Sequence, residues 1–231
     1  MLNKNHISKF EKHANTYNSF APIQQHIAKE LVNHINFEPQ IILDIGSGTG
    51  EVYKNIYWEI EEFFGVDCSP SMCDLHPKDE RVSIVCDDFE SADFLKKVKK
   101  LSPFDLVISS SSLQWATNLK EMFDVCSEIS DRVAFSVFTR GTFKTIYEIT
   151  CRESFLPTYE EVKNFSKVFK NPKIVKKIYK LDFEDNISKF RYIKNSGVSG
   201  GNDILNYKKM KYLLENYPYS YLEYEVVFVI N

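Results

Sequence analysis

A short apolar segment that ends at three closely spaced glycines restricts the fold more than any other stretch of this chain. Residues 41–45 (IILDI) are almost all apolar and β-branched or leucine, and Gly46, Gly48 and Gly50 follow at once. This pattern is typical of a buried strand that runs into a tight loop. Because glycine lacks Cβ and tolerates positive φ, the loop backbone can approach a ligand closely. In an open α/β sheet, the loop after the first strand is where nucleotide-like ligands bind.

The spacing within the loop discriminates between ligands. A dinucleotide site has the pattern G-x-G-x-x-G/A, but Glu51 occupies the position of its last small residue, and Asp44 adds an acid on the strand side. An acidic loop disfavours a pyrophosphate and favours a ligand with an ammonium group. The pattern D-x-G-x-G-x-G resembles motif I of the class I S-adenosylmethionine (SAM) methyltransferases. An NAD site and a glycine turn without a ligand are the alternatives.

Length and composition set further limits. The chain has 231 residues and a net charge of −3, which predicts a single domain with a sizeable core and gives no reason to expect nucleic acid or an anionic membrane as partner. No apolar run approaches the roughly 20 residues that span a bilayer, and the polar N-terminal segment does not resemble a signal peptide. Five scattered cysteines without a C-x-x-C pair predict reduced thiols in a cytoplasmic protein, with neither disulfides nor a metal site.

Apolar runs alternate with amphipathic segments along the chain, which predicts an α/β fold. Beside residues 41–45, the predicted strands cover residues 63–67, 81–86, 104–109, 132–138, 174–183 and 221–230. The predicted helices cover residues 23–35, 52–60, 92–100, 119–129, 187–194 and 207–216. We expect one domain over residues 1–231, with N-terminal lid helices over about 6–36 and a helical insertion over about 143–172. The resemblance implies a Rossmann-like sheet of seven strands, mostly parallel with an antiparallel last strand and helices on both faces.

Side chains at the ends of the predicted strands form a candidate cofactor site. Asp67 lies one helix and one strand beyond Gly50, where a carboxylate accepts both ribose hydroxyls. With Cys68 and Met72 it resembles the family's D-x-S-x-x-M segment, which implies that Met72 packs on the adenine. The resemblance also implies that an acid after strand three takes the adenine amino group, with Phe89 as cover; a solvated acidic turn is the alternative. The predicted cofactor residues are Asp44, Gly46, Ser47, Gly48, Gly50, Asp67, Cys68, Met72, Asp87, Asp88, Phe89 and Ser109, with Asp87 preferred over Asp88 as the adenine contact.

A second group of residues is expected to face the methyl acceptor. The segment after strand four contains Gln114 and Trp115, and the topology places it beside the glycine loop. Arg140 follows strand five, where it either holds a substrate anion or faces solvent. Tyr17, in a predicted N-terminal helix, either lines the pocket or packs in the core. The predicted substrate-binding residues are therefore Tyr17, Gln114, Trp115 and Arg140.

Several motifs narrow the resemblance to one family. The pattern F-x-x-x-A-x-x-Y-N at residues 10–18, S-x-L-Q-W at residues 111–115, F-S-x-F-x-x-G-T-F at residues 135–143 and I-K-N-S-G-V at residues 193–198 resemble the malonyl-acyl-carrier-protein O-methyltransferases of biotin synthesis. The resemblance implies SAM as cofactor, S-adenosylhomocysteine (SAH) as product and the free carboxylate of a malonyl thioester as methyl acceptor. That carboxylate is already ionised at neutral pH, so a proximity mechanism without a catalytic base is expected.

An acidic carrier protein as partner calls for a basic docking surface. Seven lysines between Lys163 and Lys180 form a local basic run in an otherwise acidic chain, although such a run is also typical of a solvated face. Two other functions remain open from the sequence. One is a methyltransferase that acts on a different small acid or a quinone-like acceptor, and the other is a SAM-binding protein without catalytic activity.

Overall fold

A computed structural model describes residues 21–195 and 207–231, and a sheet of seven strands forms its centre. The strands are β1 (Ile41–Ile45), β2 (Glu62–Asp67), β3 (Val82–Cys86), β4 (Leu106–Ser110), β5 (Val133–Phe138), β6 (Lys173–Asp182) and β7 (Tyr221–Ile230). Their order is β3-β2-β1-β4-β5-β7-β6. Strand β7 runs antiparallel to both β5 and β6, and the other paired strands are parallel. The predicted seven-stranded, mostly parallel sheet is confirmed.

Helices cover both faces of this sheet. They are α1 (Pro22–Asn33), α2 (Glu51–Asn55), α3 (Pro70–Leu75), α4 (Ala92–Leu101), α5 (Leu119–Ile129), α6 (Lys144–Thr150), α7 (Tyr159–Phe165), α8 (Asn186–Asn195) and α9 (Tyr207–Asn216). Short 3-10 turns occupy Leu113–Trp115 and Ser166–Val168. None of these described helices is both long and apolar enough to cross a bilayer. The predicted N-terminal helix that contains Tyr17 and residues 196–198 of the I-K-N-S-G-V motif lie outside the described residues.

The alternation of side chains along each strand divides the interior into two cores. In β1, Ile42 contributes to the core under α1 and α2, whereas Leu43 and Ile45 contribute to the core under α4, α5 and α7. Helix α1 enters the first core through Ile27 and Leu31, which are fully buried. Each core covers one face of the sheet, and α1 packs against the face that belongs to the first core.

The strand order produces a topological switch point at β1. The chain passes from β1 to β2 on one side and returns to β4 on the other, so the carboxyl ends of β1 and β4 lie side by side. Asp44 is paired with Ile108 of β4 and with Gly65 of β2. Ligands of open α/β sheets bind in the crevice outside such strand ends.

The first crossover helix differs from its prediction. Instead of covering residues 52–60, α2 ends at Asn55, and the backbone of Ile56 is extended (φ −65°, ψ 125°). The residues after Lys54 are asparagine, isoleucine, tyrosine and tryptophan, which have modest helix propensity. Asn55 also donates a side-chain hydrogen bond to the Glu51 carbonyl at 2.7 Å, and Trp58 donates its indole N–H to the Pro39 carbonyl at 3.0 Å. All strand boundaries agree with the predicted ones to within two residues.

Candidate functional site

The glycine loop after β1 adopts a conformation that explains its composition. Gly46, Gly48 and Gly50 all have positive φ, at 73°, 53° and 82°. The backbone N–H groups of Gly46 and Ser47 both donate to the carbonyl oxygen of Val66, at 2.8 and 2.9 Å. The loop is therefore bent back over the end of β2 before α2 begins.

The first two glycines of the loop serve different purposes. A Cβ on Gly46 would lie 2.3 Å from Cβ and Oγ of Ser112, and the Ser112 hydroxyl donates to the Gly46 carbonyl at 3.0 Å. A Cβ on Gly48 would meet no atom within 4 Å. Gly46 thus permits close contact between the β1 and β4 loops, whereas Gly48 faces open space.

Asp67 at the end of β2 is held by the backbone around it. Its Oδ2 accepts the Gly48 N–H at 3.0 Å and its Oδ1 accepts the Ser69 N–H at 2.9 Å. Burial raises the pKa of the Asp67 carboxyl, and these two N–H groups counteract the increase. Each oxygen keeps a lone pair for a further donor. The geometry suits a carboxylate that accepts two hydroxyl groups from a ligand.

A cleft of about 890 Å³, including the part open to solvent, runs along these strand ends. Its wall is formed by the glycine loop, the ends of β2 and β4, the start of α2 and one side of α1. The residues that line it are Gln24, Ala28, Gly46, Ser47, Gly48, Thr49, Glu51, Val52, Asp67, Cys68, Met72, Phe89, Ser110, Ser111, Ser112 and Trp115.

The cleft brings together many of the predicted cofactor residues. Met72 and Phe89 are buried and form apolar wall beyond Asp67, an arrangement that fits a flat aromatic base. Burial raises the pKa of the Cys68 thiol to about 12, so this side chain stays neutral and acts as apolar surface.

The two acids after β3 form hydrogen bonds within the turn that contains them. Asp87 accepts the Asp88 N–H at 2.7 Å and the Ser91 hydroxyl at 2.9 Å, and Asp88 accepts the Glu90 N–H at 2.9 Å. Neither belongs to the cleft wall among the described residues. Their contact with the adenine amino group stays a prediction, and Asp88 has the freer of the two carboxylates.

Asp44 of β1 and Ser109 of β4 lie next to the strand ends that line the cleft. Asp44 is fully buried, and neither of its carboxylate oxygens has a hydrogen-bond partner within the described chain. Burial, and to a lesser extent the charge of Asp67, raise the pKa of Asp44 well above its ordinary value. Ser109 donates to the Ile45 carbonyl at 2.7 Å and so ties β4 to the end of β1. Buried carboxylates without partners are rare in folded proteins, which makes Asp44 a candidate partner for a donor or a cation of a ligand.

The segment after β4 places its two predicted residues differently. Trp115 lines the cleft and stacks on Phe155, with ring centroids 5.5 Å apart. Gln114 is buried behind Ser111: its amide Nε2 donates to the Ser111 carbonyl, while its Oε1 is buried without a described partner. Ser111 has a positive φ of 57° and a buried hydroxyl that is also unpartnered there. Trp115 and Ser111 therefore face the cleft, and Gln114 supports them.

Arg140 lies outside the cleft wall. It follows β5, its backbone N–H donates to the Pro157 carbonyl at 2.9 Å, and its side chain is exposed. Its charge contributes to the lowered pKa of Glu161, after two hydrogen bonds from Thr158. The structure therefore places Arg140 at the correct edge of the sheet without directing it into the cleft. Tyr17, the fourth predicted substrate residue, lies outside the described residues.

Several residues of the cleft wall were not selected as binding residues from the sequence. They are Gln24, Ala28, Thr49, Glu51, Val52 and the serines Ser110, Ser111 and Ser112. Adjacency to the glycine loop or to β4 could have identified all but the first two. Gln24 and Ala28 belong to α1, which carries no motif around them, and only tertiary packing places them at the cleft.

The chemistry of the wall fits SAM better than a nucleotide phosphate. The described lining residues include the acids Glu51 and Asp67 and contain no lysine or arginine, so phosphate groups would lack a counter-charge. The unpartnered buried Asp44 and the open face of Gly48 leave room for a cationic amino acid group beside the loop. No cluster of three or more metal-binding side chains occurs in the described part of the chain.

Comparisons with known proteins identify methyltransferases as similar to this chain. The family described as "Methyltransferase domain" matches residues 42–133. The malonyl-[acyl-carrier protein] O-methyltransferase of Priestia megaterium is 30% identical over 161 residues, which cover 64% of this chain and 56% of the relative. Malonyl-[acyl-carrier protein] O-methyltransferase 2 of Coxiella burnetii is 28% identical over 202 residues, covering 82% and 79%. The chain spans a little over half the length of some curated relatives that it matches, such as the first of these two. The family resemblance drawn from the motifs is confirmed.

Solved structures share the fold at low sequence identity. The YcgJ protein of Bacillus subtilis superimposes with a TM-score of 0.58 at 13% identity, over 89% of this chain and 98% of the other. The plantazolicin methyltransferase BpumL in complex with SAH gives a TM-score of 0.51 at 14% identity, over 97% and 89%. These similarities support the sheet topology.

The two loop glycines provide a matched pair of variants. We expect Gly46→Ala to lower the free energy of unfolding by roughly 2–4 kcal/mol, because it combines left-handed strain with a clash against Ser112. Gly48→Ala should lose only about 1–2 kcal/mol, since it adds strain without a clash. Urea unfolding of both variants measures the difference. Equal losses would contradict the separate roles given to the two glycines.

The buried Asp44 predicts opposite effects on stability and on ligand binding. Because its folded pKa is raised, the wild-type protein loses stability as pH rises above the unfolded value of about 4. Asp44→Asn should therefore raise the free energy of unfolding at pH 7, and the difference should shrink as the pH falls toward about 4. The same variant should bind SAM more weakly. Thermal unfolding across pH, with SAM titration at pH 7, measures both; a variant less stable than wild type at pH 7 would contradict the assignment.

Proposed function

We propose that this chain, which carries a class I SAM-dependent methyltransferase domain, methylates the free carboxylate of a malonyl thioester on an acyl-carrier protein. The product would be the methyl ester used at the start of biotin synthesis. The observation that carries the proposal is the cleft itself: an acidic glycine cradle at one end joins the S-x-L-Q-W segment, with Trp115 in the wall, at the other. Relatives named for this reaction support the choice of acceptor.

Different residues of the cleft would bind different parts of the cofactor. Asp67 would accept the ribose hydroxyls, Met72 and Phe89 would enclose the adenine, and the loop from Gly46 to Gly48 would hold the amino acid end with Asp44 beneath it. When bound, SAM supplies an electrophilic methyl group on a sulfonium. The chain's own contribution is to align the two reactants and to exclude water, which strengthens the attraction between a cation and a carboxylate.

No described residue in the cleft wall is placed to act as a general base. The wall contains no histidine, and its acids Asp67 and Glu51 are engaged, with Glu51 accepting a hydrogen bond from Lys54 at 2.8 Å. A carboxylate acceptor needs no deprotonation at neutral pH. An acceptor hydroxyl or amine would need a base, so this wall favours an acid as the methyl acceptor.

The acceptor would sit against Trp115 and Ser111. The Ser111 hydroxyl is buried without a described partner and can donate to a carboxylate oxygen. Gln114 is not part of the cleft wall, and its amide N–H₂ donates to the Ser111 carbonyl. We therefore assign Gln114 to holding Ser111 in its left-handed conformation. Arg140 and Tyr17 remain candidates for the rim of the acceptor site.

The lysine run would dock the carrier protein through one of its two faces. Alternation along β6 places Lys176 and Lys180 on the side of the sheet that α7 covers, and Lys177 on the side of α1, where it pairs with Glu30. Lys163 and Lys176 both lie over the ring of Tyr159, at 5.8 and 5.1 Å. The docking surface therefore consists of the α7 side of the run. A cytoplasmic location fits both a carrier-protein substrate and the five free thiols.

A turnover assay tests the proposed reaction. With SAM, malonyl-carrier protein should gain the mass of one methyl group, whereas acetyl-carrier protein should gain none because it has no free carboxylate. Mass spectrometry of the intact carrier measures the gain. Methylation of neither carrier, with SAM still bound, would exclude this acceptor and leave the cofactor assignment intact.

Charge reversal tests the docking surface. The double variant Lys163→Glu/Lys176→Glu should raise KM for malonyl-carrier protein about tenfold, because it replaces attraction with repulsion, and should leave KM for a small malonyl thioester unchanged. Salt should weaken turnover of the carrier substrate in the wild type more than in the variant. Lys97→Glu, an exposed site on α4 near the opposite edge of the sheet, is the control. Equal effects on both substrates would contradict docking through this face.

A further inference from the structure

Helix α1 brings to the cleft a polar side chain that no sequence motif identifies. Gln24 lines the wall, and its amide oxygen Oε1 is buried without a hydrogen-bond partner in the described part of the chain. A buried carbonyl oxygen without a donor costs free energy. Such an atom at a cleft wall points to a donor that arrives with the ligand.

The packing of α1 fixes where along the cleft this oxygen lies. The helix contacts α2, β4 and β5 and is anchored by Ile23, Ile27 and Leu31 in the core. Ala28, one turn after Gln24, also lines the wall. Because α2 follows the glycine loop and β4 precedes Ser110, these contacts place α1 beside the glycine loop, whereas Phe89 packs in the core on the other face of the sheet. Gln24 therefore faces the end that would hold the amino acid part of the cofactor.

The charges at this end call for a cation with several N–H donors. Asp44 lies on the same face of β1 as Ile42, which packs in the core of α1, and its two oxygens are unpartnered as well. Glu51 adds a carboxylate to the wall, with one oxygen paired to Lys54 at 2.8 Å, and the described lining contains no lysine or arginine. All three side chains present oxygen acceptors. A primary ammonium group, which has three donors and a positive charge, is the ligand group that fits acceptors of this kind.

We propose that Gln24 is a positioning residue whose amide oxygen accepts a hydrogen bond from the α-ammonium group of SAM. It orients the amino acid tail of the cofactor and takes no part in the chemical step. The inference rests on the cofactor of the proposed function and is independent of the methyl acceptor.

Two ligands separate this role from a general effect on the fold. SAH and 5′-methylthioadenosine share adenine, ribose and thioether, but only SAH has the amino acid group. Isothermal titration should show that Gln24→Leu weakens SAH binding about tenfold or more and changes 5′-methylthioadenosine binding less than about twofold. Gln25→Leu, the same change at the next position of α1 and outside the cleft wall, should leave both affinities near those of the wild type.

A second variant determines which group of the ligand is contacted. Gln24→Glu keeps acceptor oxygens and should bind SAH more tightly than Gln24→Leu does. If Gln24→Glu binds SAH more weakly than Gln24→Leu, the contact is to the ligand carboxylate and the proposal is wrong. Equal loss of both ligands in Gln24→Leu, or no loss, also overturns it. A wild type that binds SAH but methylates no malonyl thioester leaves the inference intact and removes only the proposed acceptor, whereas a wild type that binds neither ligand removes both.

Discussion

The site depends on one arrangement of backbone hydrogen bonds, in which the end of β2 holds the glycine loop. The Val66 carbonyl accepts two N–H groups of the loop and the Asp67 carboxylate accepts a third. These bonds exist only because Gly46 and Gly48 adopt positive φ. They direct the loop toward β4, where the Ser112 hydroxyl meets the Gly46 carbonyl. Three strands are thereby joined at one point, and the cleft begins there.

Asp44 shows how this point combines structure with binding. A fully buried carboxylate without a partner destabilises the empty protein, and its pKa is raised by burial. The same carboxylate suits a ligand that carries an ammonium group. The fold thus tolerates an unfavourable buried carboxyl group at the place where a ligand can compensate it, which is a common feature of functional sites.

Much of this architecture could be predicted from the sequence, because it depends on local patterns. The apolar run of β1, the glycines and the acid at Asp67 are adjacent in the chain, and their spacing reflects one strand, one loop and one crossover. Features that depend on tertiary packing could not be predicted in this way. Gln24 reaches the cleft only because α1 packs on β4 and β5, and the lysine run is divided because β6 alternates its faces. The short α2 reflects local competition from Asn55 that a periodicity argument does not detect.

The position of β7 has a consequence for the order in which the sheet can form. Strand β6 pairs only with β7 among the described strands, and β7 lies between β6 and β5 although it follows both in the chain. During synthesis, the parallel half from β1 to β5 can assemble first, while β6 must wait for a strand that emerges about forty residues later. Until then, the apolar residues of β6 and the free edge of β5 are exposed to other chains. This half of the sheet is therefore where a nascent chain is most open to misassembly.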